Sequence, residues 1–194
     1  MEKKLILVAA LPACGKNYVS DLLCKSLGHV AYFDKDDLAP LLRRGFALGG
    51  EAVDMDGGFY LENLRSEEYE TLMRLAFSAL PYEDVVLVNA PLLREVRDAE
   101  YMRALKARAK EMDAALVLVW VQASAAVRRE RMQRRGSDRD AAKLAHWEAY
   151  VAGTDVSAPT ALMEAGAVDR LFIFDNEGEE AAIDSLRKIT ENLI

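Results

Sequence analysis

Leu5-Ile-Leu-Val-Ala-Ala-Leu-Pro-Ala-Cys-Gly-Lys-Asn17 is the stretch on which the fold of this chain turns. An unbroken apolar and β-branched run stops at Leu11-Pro12, small residues follow, and Gly15-Lys16 stands where a helical pattern opens with Val19, Leu22, Leu23 and Leu27. A strand, a tight loop and a helix in that order aim backbone N–H groups and a helix N-terminus at one point, and the lysine adds a mobile positive charge.

The spacing approximates the phosphate-binding pattern G-x-x-x-x-G-K-[ST], with Ala10 in place of the first glycine and Asn17 in place of the hydroxyl residue. Alanine is tolerated where its φ stays negative. Asparagine still offers a hard amide oxygen to Mg²⁺. Pro12, Ala13, Cys14, Gly15, Lys16, Asn17 and Tyr18 are therefore the candidate phosphate and nucleotide contacts. Cys14, beside Lys16 at a helix start, reads first as a small loop filler, with an activated thiolate as the competing reading.

Outward from the loop, residues 29–33, Val85–Val88, Leu116–Val121 and Leu171–Phe174 form four more continuous apolar runs separated by helical patterns. Strands without alternation are buried on both faces, and helices between them make the sheet parallel. The class is α/β with a doubly wound sheet. Tyr69, Leu72, Met73, Ala76, Phe77 and Leu80 share one stripe of a helix expected over Phe59–Leu80. Gly45–Gly58 reads as a flexible insert, and the last helix is expected to turn Ala182, Ile183, Leu186, Ile189 and Leu193 inward.

Parallel strands present their carboxyl ends to one crevice, so the residues that close them are candidates for chemistry. The second strand ends in Asp34-Lys35-Asp36-Asp37. Extended alternation would turn Asp34 and Asp36 to the crevice and Lys35 away, while helix capping competes for at least one of these acids. Asn89 closes the third strand and Asp175-Asn176 the fifth. Beyond Ser124 a helix carries Arg128, Arg129, Arg131, Arg134 and Arg135, followed by Arg139, six arginines against Glu130 and Asp138. Arg128, Arg131 and Arg135 fall on one face by spacing, and Asp138–Val151 is expected to form a second helix of a lid over residues 124–152. Mutual repulsion among the six arginines is expected to leave this lid mobile without nucleotide and ordered with it.

At 194 residues the chain has room for one domain, 1–194, with a full core. A net charge of -7 argues against a general nucleic-acid binder. Two cysteines, Cys14 and Cys24, make neither a disulfide framework nor a metal site. No apolar run reaches membrane-spanning length, and Met1-Glu-Lys-Lys leads into a strand without a cleavage-site pattern, so a cytoplasmic protein without membrane partners is expected.

Loop, acidic strand end, arginine face and Asp175-Asn176, in that chain order, resemble the small P-loop kinases, in particular the AAA_33-type ATP-binding proteins related to gluconate and shikimate kinases, zeta toxins and chloramphenicol phosphotransferases. The resemblance implies a five-stranded parallel sheet in the order 2-3-1-4-5, ATP as donor, Mg²⁺ as cofactor and a small-molecule acceptor. It implies that Asp34 or Asp36 acts as base or positions the acceptor, with Asp34 and Asn17 toward the metal. Lys16, Arg131 and Arg135 would act on the transferred phosphoryl group, Arg128 and Arg131 would bind the nucleotide, and Asp175 and Asn176 would lie against the adenine. Relatives often carry an acidic residue at the position of Asn89. Two other readings stay open: a non-catalytic ATP-binding sensor or regulatory protein, and a kinase acting on nucleic acid or protein.

Overall fold

The computed structural model describes residues 2–193, apart from the side chain of Arg139. Strand β1 (Lys3–Ala10) leads into helix α1 (Lys16–Leu27), then β2 (Val30–Asp34), α2 (Ala39–Gly49), α3 (Gly58–Asn63) and α4 (Arg65–Ala79). There follow β3 (Val85–Asn89), α5 (Ala99–Lys110), β4 (Ala114–Gln122), α6 (Ala125–Arg135), α7 (Asp138–Ala145), α8 (Trp147–Ala152), α9 (Ala161–Glu164), β5 (Arg170–Asp175) and α10 (Glu179–Leu193). The five strands form one sheet with every pairing parallel, as the apolar runs predict, in the order β2-β3-β1-β4-β5 that the resemblance implies.

β1 lies at the centre because both of its faces are apolar. Leu5, Leu7 and Ala9 pack with Leu72, Phe77, Met102 and Trp120 on one side, and Ile6, Val8 and Ala10 with Val19, Leu23, Phe174 and Ile189 on the other. The period of two divides one continuous apolar run between two cores. Parallel pairing then brings the carboxyl ends together: Asn89 is in register with both Val8 and Asp34, and Gln122 with Asp175.

Four local expectations are corrected. The Phe59–Leu80 helix is divided at Leu64, whose φ of -122° ends α3 as α4 begins. The helix expected over Asp138–Val151 breaks at His146 (φ -122°, ψ 43°) into α7 and α8. Most of the proposed insert is ordered: α2 runs to Gly49, where a Cβ would lie 2.4 Å from the Phe59 ring, so only glycine lets α2 and α3 meet. In α10, Ile183 is 57% exposed, and the inward position is taken by Ser185, whose hydroxyl accepts from the Asp175 N–H at 3.0 Å. A hydroxyl there gives the end of β5 a hydrogen-bond partner that isoleucine cannot supply.

Candidate nucleotide site

The loop after β1 is shaped from outside. Arg128 donates from Nε to the Pro12 carbonyl at 3.0 Å, Arg131 reaches the Cys14 carbonyl at 3.2 Å, and Asn176 Nδ2 reaches the same carbonyl at 2.7 Å. In a trans peptide the N–H points opposite to the C=O. Tying the Pro12 and Cys14 carbonyls to one side therefore turns the Ala13 and Gly15 N–H groups to the other, the arrangement that receives an anion. Gly15 sits at φ +88°, and a Cβ there would lie 2.3 Å from Asn176 Nδ2, so no side chain is admissible. Ala13 also takes the left-handed region, at φ +65°. Ala10 stays in the strand, paired with Val121 and outside the positive-φ set, so the missing glycine costs the loop nothing.

At the start of α1 the polar groups converge. Lys16 Nζ donates to Asn89 Oδ1 at 2.6 Å and to Asn17 Oδ1 at 3.2 Å, and the buried Ser20 hydroxyl donates to the same Asn89 oxygen at 3.1 Å. Asn89 is fully buried; its Nδ2 lies 3.1 Å from Asn17 Oδ1, 2.8 Å from the Tyr32 hydroxyl and 2.6 Å from Asp34 Oδ2. The Tyr32 hydroxyl donates to Asp34 Oδ2 at 2.8 Å. Burial pushes the Asp34 carboxyl upward, but the bonds from the Asp36 N–H, Tyr32 and Asn89, with the charge of Lys16, hold it below its ordinary value. The Tyr32 hydroxyl is pushed up by burial and by Asp34, so it remains a donor.

Alternation ends at Asp34, which corrects the expected pairing with Asp36. Lys35–Leu38 form a 3-10 turn, capped by Asp34 Oδ1 accepting from the Asp36 N–H at 2.9 Å. Lys35 then turns inward to the buried Glu68, at 2.9 Å, and Glu68 also accepts from Tyr60. Asp36 is left 60% exposed, 3.6 Å from Lys35 Nζ. The β2 end thus holds one carboxylate in the network and another in solvent.

The arginine face is built as the spacing predicts, but its members are engaged. Arg128 is wholly buried, with its second bond going to the Tyr150 hydroxyl at 2.7 Å. Arg131 also holds the Asn176 carbonyl at 2.7 Å, and Arg135 pairs with the buried Asp140 at 2.6 Å. Carbonyl oxygens and Asp140 relieve the expected mutual repulsion, so α6 is docked on the loop. Arg139 lies outside the described side chains. The Asn176 side chain is 4% exposed and braces the loop, and Asp175 turns its carboxylate back to the Glu177 N–H at 3.0 Å. Tyr18 is half-exposed. Cys14 is buried, and burial pushes its thiol up despite nearby Arg128 and Arg131, which favours the loop-filler reading over the thiolate.

A cavity of about 400 Å³ opens beside the loop, lined by Leu11, Pro12, Leu93, Tyr150 and Thr154 together with two ion pairs. Arg97 meets Asp155 at 3.2 Å, and Lys143 meets Asp56 at 3.0 Å, the latter joining α7 to the connection between α2 and α3. Sequence reading missed Tyr32, Ser20, Asp56, Lys143, Tyr150 and Asp155. Tyr32 had a local signal, two residues before Asp34 on an extended strand. Tyr60 and Arg65, near the α3–α4 junction, are tied within the fold: Tyr60 bonds Glu68, and Arg65 pairs with Glu95 at 2.8 Å. Among the described residues no cluster of three His, Cys, Asp or Glu could hold a metal, and no helix is long and apolar enough to cross a membrane.

The hard oxygens of Asn17 and Asp34 beside Lys16 fit a Mg²⁺ that takes most of its ligands from phosphate and water. The sequence family model AAA_33, described as an AAA domain, matches residues 5–156. Among solved structures, a presumed kinase from Chloroflexus aurantiacus is 19% identical with a TM-score of 0.67, covering 100% of this chain and 97% of its own. A gluconokinase from Sinorhizobium meliloti is 16% identical with a TM-score of 0.50, over 99% and 96% of the two chains. Chaetomium thermophilum Kti12, solved with ADP-AlF3, is 17% identical with a TM-score of 0.55, over 98% and 99%. At these identities the likeness is one of fold. No curated protein matches the chain by sequence.

Proposed function

The chain belongs to the AAA_33 family of AAA domains, and on that premise we propose that it is an ATP-dependent phosphotransferase acting on a small molecule in the cavity beside Pro12. The observation that carries this reading is the shared wall: Leu11 and Pro12 belong both to the phosphate loop and to a cavity of about 400 Å³, a size suited to a small ligand. The kinase neighbours support the same reaction class, and the ADP-AlF3 complex of Kti12 supports a nucleotide at the loop.

In this reading the Ala13 and Gly15 N–H groups and Lys16 hold the β- and γ-phosphates. Lys16 exchanges its bonds to Asn89 and Asn17 for phosphate oxygens. Asn17 and Asp34 would hold a Mg²⁺ directly or through water, and that ion would supply neutralisation of the charge that develops during transfer. Arg131, beside the loop, turns from the Cys14 carbonyl toward the transferred group, while Arg135 reaches the same group from the next turn of α6. Arg128 keeps the loop in shape. The acceptor oxygen forms a bond to the γ-phosphorus as the bond to the β-phosphate oxygen breaks, and the hydroxyl proton would pass to a carboxylate, for which Asp36, exposed at the end of β2, is the candidate. Residues 124–152 close over the site as a lid and keep water from competing for the phosphoryl group.

One observation favours a second reading, an ATP-binding switch without transfer: Asn17 stands where a hydroxyl usually meets the metal. ADP release from Mg-ATP against a panel of hydroxylated metabolites separates the two. A kinase gives acceptor-dependent ADP, lost in Lys16→Ala and lowered about 10²-fold in Asp36→Asn, the scale of a lost general base. Unchanged ATP affinity in Lys16→Ala would sink the phosphate-loop assignment, and full turnover in both Asp36→Asn and Asp34→Asn would sink the catalytic one.

A further inference from the structure

The ends of β2 and β3 lie side by side, with Asp34 opposite Asn89 in register. β3 contributes only a neutral amide there, so the negative charge near Lys16 comes from β2. A chain of bonds makes the connection: Lys16 to Asn89 at 2.6 Å, then Asn89 to Asp34 at 2.6 Å.

Asp34 is pinned on both oxygens. Its Oδ1 accepts from the Asp36 N–H, and its Oδ2 from Tyr32 and Asn89. The two donors to Oδ2 are unequal. Asn89 Nδ2 has two hydrogens and three oxygens within reach, those of Asn17, Tyr32 and Asp34. A tyrosine hydroxyl has one hydrogen, and this one goes to Asp34 alone. Its lone pairs meanwhile accept from Asn89, so the same hydroxyl sets the amide that Lys16 touches. Tyr32 reaches this position because residues two apart on a strand share a face.

We propose that Tyr32 is a positioning residue for the metal-nucleotide complex, its hydroxyl fixing the Asp34 carboxylate and the Asn89 amide in the orientation that receives Mg²⁺ together with ATP. The inference rests on the nucleotide reading above and adds to it a residue that touches neither phosphate nor acceptor. Where the end of β3 offers only the neutral Asn89, the carboxylate comes from the neighbouring strand, and a tyrosine holds it.

The test is Tyr32→Phe, which keeps the ring and removes the hydroxyl. Binding of a non-hydrolysable ATP analogue is titrated calorimetrically with Mg²⁺ and with EDTA, on wild type, Tyr32→Phe and Asp34→Asn. The expected result is an unchanged affinity in EDTA and a loss of about tenfold in the enhancement by Mg²⁺, the scale of a lost outer-shell partner. The thermal midpoint without nucleotide should fall less than in Asp34→Asn, since only one of the bonds to the carboxylate is lost. Full Mg²⁺ enhancement in Tyr32→Phe, with loss in Asp34→Asn, would overturn the inference and leave the nucleotide reading intact. An equal loss of affinity in EDTA and Mg²⁺, or a midpoint lowered as far as in Asp34→Asn, would make the tyrosine structural and overturn it as well. Absence of analogue binding to the wild type would overturn the nucleotide reading itself.

Discussion

Replacing Arg128 by methionine and by alanine separates two opposing contributions of a buried guanidinium. Arg128 has no solvent exposure, and its partners are neutral oxygens, the Pro12 carbonyl at 3.0 Å and the Tyr150 hydroxyl at 2.7 Å; among the described residues no carboxylate lies in ion-pair range. Two bonds of a charged donor stabilise by about 1.5–3 kcal/mol each. Withdrawing the cation from water costs several kcal/mol, which offsets most of that gain. Methionine restores much of the volume without the charge, so its net cost should fall within about 2 kcal/mol. Alanine adds a cavity worth about 2–5 kcal/mol. For a chain of this size each kcal/mol moves the midpoint by about 2–4 °C. Scanning calorimetry at pH 7 should therefore find the alanine variant about 4–20 °C below wild type and the methionine variant clearly between them. Both should bind ATP more weakly, because the Pro12 carbonyl has lost the donor that holds the loop in shape. A methionine variant melting as low as the alanine variant would refute the balance, since the two bonds would then outweigh the desolvation by far.

The Asp34 carboxyl is held below its ordinary value, so its folded form binds a proton less readily than the unfolded chain. Its contribution to stability is present above the ordinary carboxylate range, about pH 4, and is lost as pH falls through the lowered folded value. The midpoint difference between wild type and Asp34→Asn should accordingly be flat from pH 7 to about pH 5 and shrink below about pH 4; a difference that widens in acid would contradict the network. Cys14, raised by burial, should react with iodoacetamide at pH 8 more slowly than a free thiol, and mass spectrometry of the labelled peptide reads it directly. Labelling of Cys14 faster than a free thiol would restore the thiolate reading.

The architecture was legible because it follows from patterns local in sequence. Continuous apolar runs such as Leu5–Ala10 and Leu116–Val121 have few ways to be buried other than as central parallel strands, and helices between them determine the direction of each crossover. Gly15-Lys16 marked the loop because left-handed backbone and a helix start leave a local signature. Arg128, Arg131 and Arg135 fell on one face by arithmetic alone.

What those side chains touch was not legible, because each partner is decided by parts of the chain far apart in sequence. Arg128 and Arg131 read as phosphate ligands on charge, yet packing α6 against the loop gives them the carbonyls of Pro12 and Cys14, more than a hundred residues away. Asn176 read as an adenine contact, and its side chain braces the loop through the same packing. Asp34 and Asp36 read as a pair because alternation was carried one step too far; Lys35 finds a buried partner in Glu68, and the chain turns to reach it. Asn89 was visible as a departure from an acidic norm, but only its register with Asp34 and its approach to Lys16 and Tyr32 join those residues in one network. Sequence by itself determined the strands, their burial and the tight loop between β1 and α1, since backbone and hydrophobic preferences act over a few residues. Tertiary structure alone decided which polar groups meet, since hydrogen bonds and charges act over a few ångströms regardless of how much chain lies between them.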